Sequence, residues 1–216
     1  MPTPTSHRKL FAAAIASVCL FLPAGTASAQ SRVTLGTRAG IAVPAGDLAD
    51  LVAPGATVGG GIAVRLYRDL WLRFGLNADM LEEKRLSSGE MSPGVNLYHY
   101  LVDAEWRFTS ARSPFSVTGT VGAGTTRLEI EAFSIPQGQP GAGQTPLIQE
   151  SYPALHAGLQ LGYRLGRRIE AALGVRAYRV FANEAETAVI ETLSDEVNAL
   201  GAVWTIPIAL HVDVWF

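Results

Sequence analysis

The feature that most restricts this chain is a two-residue alternation that returns again and again from Val33 to Phe216, large apolar residues in one row and glycine, arginine or acids in the other. A period of two places successive side chains on opposite faces of an extended strand. The last twelve residues show it plainly: Ile206, Ile208, Leu210, Val212, Val214 and Phe216 form one row, and Thr205, Pro207, Ala209, His211, Asp213 and Trp215 the other. That strand runs to the final residue, where a soluble domain normally carries polar, loosely held residues.

Seven more segments repeat the pattern: Val33–Val43, Val58–Tyr67, Leu70–Met80, Leu97–Phe108, Phe115–Ile130, Ala154–Leu165 and Ile169–Phe181. Val33–Val43, Val58–Tyr67 and Leu70–Met80 are each of about the 9 to 11 residues that a tilted strand needs to cross a bilayer. Phase is lost after Thr125, where a bulge or the end of the membrane segment is expected. The connections alternate in length. Arg68-Asp69, Thr109–Pro114 and Gly166–Arg168 are tight, whereas Pro44–Thr57, Leu81–Asn96, Glu131–Pro153 and Ala182–Trp204 read as long loops. Short turns on one side and long loops on the other predict an even-stranded barrel with both termini on the short-turn side.

Alternation alone fits a soluble barrel equally well, so residue type has to set the direction. The polar row is rich in glycine and arginine, whereas a water-facing row would carry lysine and glutamate; Lys84 is the one lysine after Lys9. The apolar row is therefore expected outside. Unpaired backbone groups cost several kcal/mol each in hydrocarbon, so the sheet must close and the last strand must pair with Val33–Val43. An eight-stranded barrel is just wide enough inside for side chains to fill it. Arg38, Arg65, Arg73, Arg107, Arg164 and Arg176 then face Asp79, Asp103, Glu105, Glu170 and Asp213 across the lumen, and an ionic plug is expected. A three-residue turn at Gly166–Arg168 would set Arg164 opposite Glu170. Aromatic girdles are expected from Tyr67, Trp71, Trp106, Phe108, Phe115, Tyr163, Trp215 and Phe216 on the turn side, and from Tyr98, Tyr100, Tyr152, Tyr178 and Phe181 on the loop side.

Residues 1–29 read as a cleaved secretory signal: His7, Arg8 and Lys9, an apolar run Leu10–Leu22, then Ala27-Ser28-Ala29 before Gln30. The run is too short for a membrane-spanning helix, which needs about 20 residues. Cys19 lies within it, but Ala16-Ser17-Val18 lacks the leucine and small-residue pattern of a lipidation site. Removal of the signal leaves residues 30–216 as one domain without cysteine, hence without disulfides, thiol nucleophile or thiolate metal site. The whole chain carries a net charge of −2, and no basic stripe invites nucleic acid.

Catalytic signals are weak. His99, His156 and His211 fall in the inward row on separate strands, which suits interior hydrogen bonding better than a metal. Some lipid-acting barrels carry a His-x-Ser pair, but His99-Tyr100-Leu101, His156-Ala157-Gly158 and His211-Val212-Asp213 lack the serine. Gly119–Gly124 lacks the lysine of a phosphate loop. Pro44-Ala45-Gly46-Asp47 reads as a turn, Pro136–Pro146 as an irregular Gly/Pro segment, and Glu184–Leu200 as a candidate amphipathic helix over the barrel mouth.

Taken together, the leader, the alternating strands, the loop asymmetry and the terminal Phe216 resemble the bacterial outer-membrane β-barrel domain family, as in the small barrel of outer-membrane protein A. The resemblance implies an all-β fold, an eight-stranded antiparallel up-and-down transmembrane barrel, located in the outer membrane. It implies an insertion signal in Leu210, Val212, Val214 and Phe216, no cofactor, no catalytic residues, and a structural or surface-interaction role. Its expected partners are outer-membrane lipid and lipopolysaccharide, periplasmic chaperones and the barrel-assembly machinery. Two alternatives are a narrow channel for apolar solutes, which needs an apolar upper lumen hinted at by Leu97 and Leu101, and a lipid-acting enzyme.

Overall fold

The computed structural model describes residues 32–86, 89, 92–109, 113–131, 146–182 and 203–216. Its strands are β1 (Val33–Ala45), β2 (Val52–Tyr67), β3 (Leu70–Glu83), β4 (Val95–Thr109), β5 (Phe115–Glu131), β6 (Pro146–Arg164), β7 (Ile169–Val180) and β8 (Val203–Trp215). One helical turn, α1 (Leu48–Leu51), joins β1 to β2. Every strand pairs antiparallel with its sequence neighbours, and β8 returns to β1 to close the barrel. Closure runs from Thr34↔Trp215 to Ala45↔Trp204, which satisfies backbone groups that a free edge would leave bare.

The apolar row faces out. Phe74, Leu159 and Leu210 are 53%, 61% and 66% exposed, while Asp103 and Glu105 are fully buried inside. A belt of this size, running round the whole barrel, far exceeds the apolar patches that soluble monomers tolerate. Tyr67, Trp106, Phe108, Phe115, Tyr163 and Phe216 stand outside towards the turn end, and Tyr100 towards the loop end. Four aromatics expected in the girdles do not join them. Trp71, Tyr152 and Tyr178 are buried inside, and Trp215 packs edge-on against Trp71. Parity explains it: Trp71 shares its row with Arg73, Tyr178 with Arg176 and Trp215 with Asp213.

Several strands reach further towards the loop end than their alternation suggests. The phase of β5 does not break after Thr125. Its register with β4 continues to Val95↔Ile130, and what changes is which row is apolar. Leu128 and Ile130 point inward and are buried, while Arg127 and Glu129 face outward as an ion pair at 3.0 Å. The same exchange occurs on β3 (Asp79 to Leu81), β4 (His99 to Leu97), β7 (Tyr178 to Val180) and β8 (Thr205 to Val203), in each case from an inward polar residue to an inward apolar one. Below this level the barrel is apolar outside and polar inside; above it the order reverses, as water outside requires.

The long loop read from Pro44 to Thr57 is therefore corrected to a short connection, because β2 starts at Val52. Ala53-Pro54-Gly55 is a bulge inside the strand, not its end, since the register with β3 shifts between Ala53 and Ala56. Likewise β6 starts at Pro146, not Ala154. Pro153 sits where β7 pairing ends, and its carbonyl accepts the Phe181 N–H at 2.9 Å. Two of the tight turns hold: Arg68, with φ of 37°, turns β2 into β3, and Leu165 N–H donates to Ile169 O at 3.0 Å between β6 and β7; residues 110–112 of the third, Thr109–Pro114, lie outside the described residues. The candidate signal at 1–29 and the candidate helix Glu184–Leu200 lie outside the described residues.

The inversion predicts how an added charge is received on the outer wall. Leu159→Arg, at mid-barrel, should cost about 2–4 kcal/mol in denaturant unfolding from phospholipid vesicles, and Thr125→Arg, at the inversion level, no more than about 1 kcal/mol. Equal costs would contradict the placement of the boundary.

Candidate functional site

The lumen is where chemistry-bearing residues converge. Starting at the turn end, the Arg107 guanidinium packs against two indoles that touch each other, 4.4 Å from the Trp71 ring and 4.8 Å from that of Trp215. A guanidinium over an aromatic face is held by the ring quadrupole, most strongly where water is excluded. Arg107 also donates to Glu105 Oε2 at 2.8 Å. Glu105 Oε1 accepts the Arg73 Nε–H at 2.5 Å, and Arg73 Nη2 donates to Asp213 at 3.0 Å. These groups come from β3, β4 and β8, so the contacts cross the barrel interior.

One level up, Asp103 accepts from Arg176 Nη1 at 3.1 Å and meets His156 Nε2 at 2.7 Å. Above it lies Tyr178, fully buried, whose ring stacks on His99 at 4.4 Å and tilts against His156 at 4.9 Å. Its hydroxyl accepts from Arg38 Nη2 at 2.7 Å. Asp79 then accepts from the Thr57 and Thr205 hydroxyls at 2.6 and 2.9 Å and contacts His99 Nε2 at 3.3 Å, while His99 Nδ1 meets Thr126 at 2.7 Å. Thr57, Asp79, His99, Thr126, Tyr178 and Thr205 thus form a ring of buried polar groups at the level where the wall inverts. His211 pairs with Gln160 at 3.2 Å.

An apolar layer lies above that ring. Leu81, Val95, Leu97, Leu128, Ile130, Val180 and Val203 converge from the strands, and α1 lowers Leu48 into them with only 2% of its surface exposed. The turn is formed by Gly46, with φ of 62°, whose carbonyl accepts the Ala49 N–H at 2.9 Å. Lys84 ties it down from β3's end, donating to Ala49 O at 2.6 Å.

Of the residues expected in the lumen, the structure brings together Arg73, Arg107, Arg176, Asp103, Glu105 and Asp213 in one connected set of contacts. Asp79 belongs to the polar ring, and Arg38 bonds a phenol instead of an acid. Arg65 is set apart at the turn, where its Nε–H caps the Arg68 carbonyl at 2.5 Å, so it is corrected from a charge partner to a turn cap. Arg164 lies opposite Glu170 in register, but the closest approach is 3.7 Å and the Arg164 side chain is 36% exposed. At the C-terminus Leu210, Val212 and Phe216 face outward, and Phe216 N–H donates to Val33 O at 3.0 Å. Residue type alone does not mark Tyr178, Trp71, Trp215 and the threonine ring as lumen contacts; their place in the inward row is the signal that does. Among the described residues, no group of three or more His, Cys, Asp or Glu is disposed to hold a metal.

Residues 12–204 match the family model described as outer membrane protein beta-barrel domain. The chain belongs to this family. Its fold is similar to that of Neisserial surface protein A, NspA, with a TM-score of 0.60 and 13% identity over 85% of this chain and 97% of that one. It is also similar to a major outer membrane protein from Thermus thermophilus, with a TM-score of 0.53 and 12% identity over 85% of this chain and 99% of that one. No curated protein sequence matches the chain. The barrel is an integral β-barrel protein of the bacterial outer membrane, and its exposed apolar belt is the lipid-facing wall.

The outer-membrane barrel should respond unequally to the loss of two lumen acids. Asp103→Ala strands Arg176 and His156 in the interior and should lower the free energy of unfolding by about 3–5 kcal/mol. Glu170→Ala faces a half-solvated arginine at a longer distance and should cost no more than about 1 kcal/mol. Urea unfolding of the refolded barrel separates the two, and equal losses would mean that Asp103 has no special place in the network.

Proposed function

We propose that this protein is a non-enzymatic outer-membrane barrel with a structural or surface-interaction role, its lumen plugged by its own side chains and its outer loops available for recognition. The observation that carries the reading is the stack of buried contacts in the lumen: Arg107 against two indoles, the Arg73, Glu105, Arg176 and Asp103 pairs, the Asp79 ring, and the apolar layer under Leu48. An aqueous pathway would have to break several of these together, and separating a buried pair is costly. Recognition then falls to surfaces outside the wall, as is usual for loops on a rigid scaffold. The hydrophilic outward residues of the β5–β6 extension, Arg127, Glu129, Gln149 and Ser151, suit contact with lipopolysaccharide headgroups or a surface partner.

In the same reading residues 1–29 direct export, and Leu210, Val212, Val214 and Phe216 are what chaperones and the assembly machinery read. A passage for apolar solutes is the second reading, favoured by one observation, the apolar upper lumen around Leu97 and Leu128. It stops at the Asp79 ring, which offers an apolar solute no continuation towards the turn end.

Planar-bilayer recording decides between them and the plug. The refolded barrel should give no long-lived unitary conductance, and Asp103→Ala should introduce transient openings. A stable wild-type conductance, or uptake of an apolar dye into liposomes that depends on the protein, would overturn the plugged reading.

A further inference from the structure

The outer wall is not equally bulky all round. Across β2, β3 and β4, at and just below the level where the wall inverts, the outward residues Val58, Gly60, Leu76, Ala78, Tyr98 and Tyr100 line an open groove of about 380 Å³. The register explains its shape. Gly60 pairs with Leu76 and Leu76 with Tyr100, while Ala78 lies between Val58 and Tyr98. Gly60 and Ala78 make a low floor, and Leu76 and Tyr100, 61% and 49% exposed, stand out as a bank beside it. The floor at Gly60 is fixed by the backbone, because an added Cβ there would come within 2.9 Å of the Gly36 carbonyl oxygen. One step towards the turn end the same outward row carries Ile62, Phe74 and Val102, large exposed residues that end the groove below.

Towards the loop end the wall beside the groove turns hydrophilic: Tyr98 pairs with Arg127, and Asn96 with Glu129. Arg127 meets Glu129 at 3.0 Å and keeps 40% of its side chain exposed. Ligand sites are clefts of about 300 to 1,000 Å³, mostly apolar and aromatic with a few polar groups that orient the ligand, and this groove has that make-up. It is continuous with the lipid-facing wall, so its occupant comes from the membrane. A second copy of the chain fits it badly. A two-fold contact sets the same patch against itself, and two facing grooves enclose a void where protein interfaces require dense packing.

We propose that this groove is a lipopolysaccharide site, seating one acyl chain of an outer-leaflet molecule with a phosphate of its sugar headgroup beside Arg127. Long loops mark the extracellular end of such barrels, so the groove lies in the outer leaflet, its floor among acyl chains and Arg127 at headgroup height. The two ends of the site match the two ends of the lipid: Gly60, Ala78 and Leu76 offer only apolar surface, whereas a guanidinium suits a phosphate and can hold it with paired N–H donors. The site deepens the surface-interaction reading and rests on it, but a plugged barrel and a lipid-retaining groove are read by separate experiments. Loss of the plug would appear as conductance, and loss of this site as a missing lipid adduct.

The test is native mass spectrometry of the refolded barrel released from detergent, with diphosphorylated lipid A as the probe and phosphatidylethanolamine as its comparison. Wild type should retain one lipid A along a saturating curve and hold phosphatidylethanolamine more weakly. Ala78→Phe fills the groove and should weaken lipid A retention about tenfold or more, while Ala123→Phe, outward on β5 between Val102 and Leu155, should leave it unchanged. Leu76→Ala removes the bank and should weaken retention too, and it stands in if Ala78→Phe does not refold. Arg127→Gln should narrow the preference for lipid A over phosphatidylethanolamine. Retention that survives filling of the groove, or that falls equally in Ala123→Phe, would place the lipid elsewhere and overturn the site. Equal retention of the two lipids by wild type would overturn the lipopolysaccharide assignment, and a dimer abolished by Ala78→Phe would give the groove to a second copy.

Discussion

A backbone passing through hydrocarbon has no water to bond, and every N–H and C=O left unpaired costs several kcal/mol. Pairing β8 with β1, from Thr34↔Trp215 to Ala45↔Trp204, is the contact on which the rest of this structure depends. Closure at eight strands makes the interior narrow, and narrowness dictates what can line it. At Gly40 and Gly124 even a Cβ would collide with the backbone of the neighbouring strand. The space left between such bare positions is crossed by long side chains, chiefly arginines that reach acids on distant strands: Arg73 to Asp213, Arg176 to Asp103.

The interior is also layered along the barrel axis. Charged pairs occupy the lower lumen, a ring of threonine, aspartate, histidine and tyrosine lies above them, and aliphatic side chains close the upper mouth beneath α1. This order follows the surroundings of the wall. Where lipid lies outside, apolar residues are drawn outward and polar ones must find each other within. Where water lies outside, the barrel behaves as a soluble one and keeps its aliphatic residues in. The Asp79 ring sits at the exchange, which is why its members are almost fully buried and hydrogen bonded.

Much of this was legible in the residues. The eight strands, their antiparallel order, the outward apolar row and the Arg164↔Glu170 register follow from alternation and turn length. Ends and levels were harder. Alternation states parity but not which row is apolar beyond the membrane, so the inversion at Thr126–Leu128 reads as a loss of phase. Pro54 and Pro153 read as loop signals, although one lies in a bulge and the other where pairing to β7 stops. Trp71, Trp215 and Tyr178 look like girdle residues by type and are inward by parity; parity is the better guide. Beyond Arg164 and Glu170, which acid meets which arginine could not be read, because cross-lumen contacts depend on barrel stagger and rotamers.

The direction of the two rows is the central claim, and a chain whose one cysteine, Cys19, precedes the barrel is suited to testing it. Single nitroxide labels along β6, introduced in vesicle-reconstituted protein, report oxygen access from lipid against access of a water-soluble nickel complex. Labels at Leu155, Leu159 and Leu161 should relax strongly with oxygen and labels at His156 and Gln160 with neither reagent, while Ser151 should respond to nickel. If Leu159 responded to neither reagent and Gln160 to oxygen, the barrel would be the other way out.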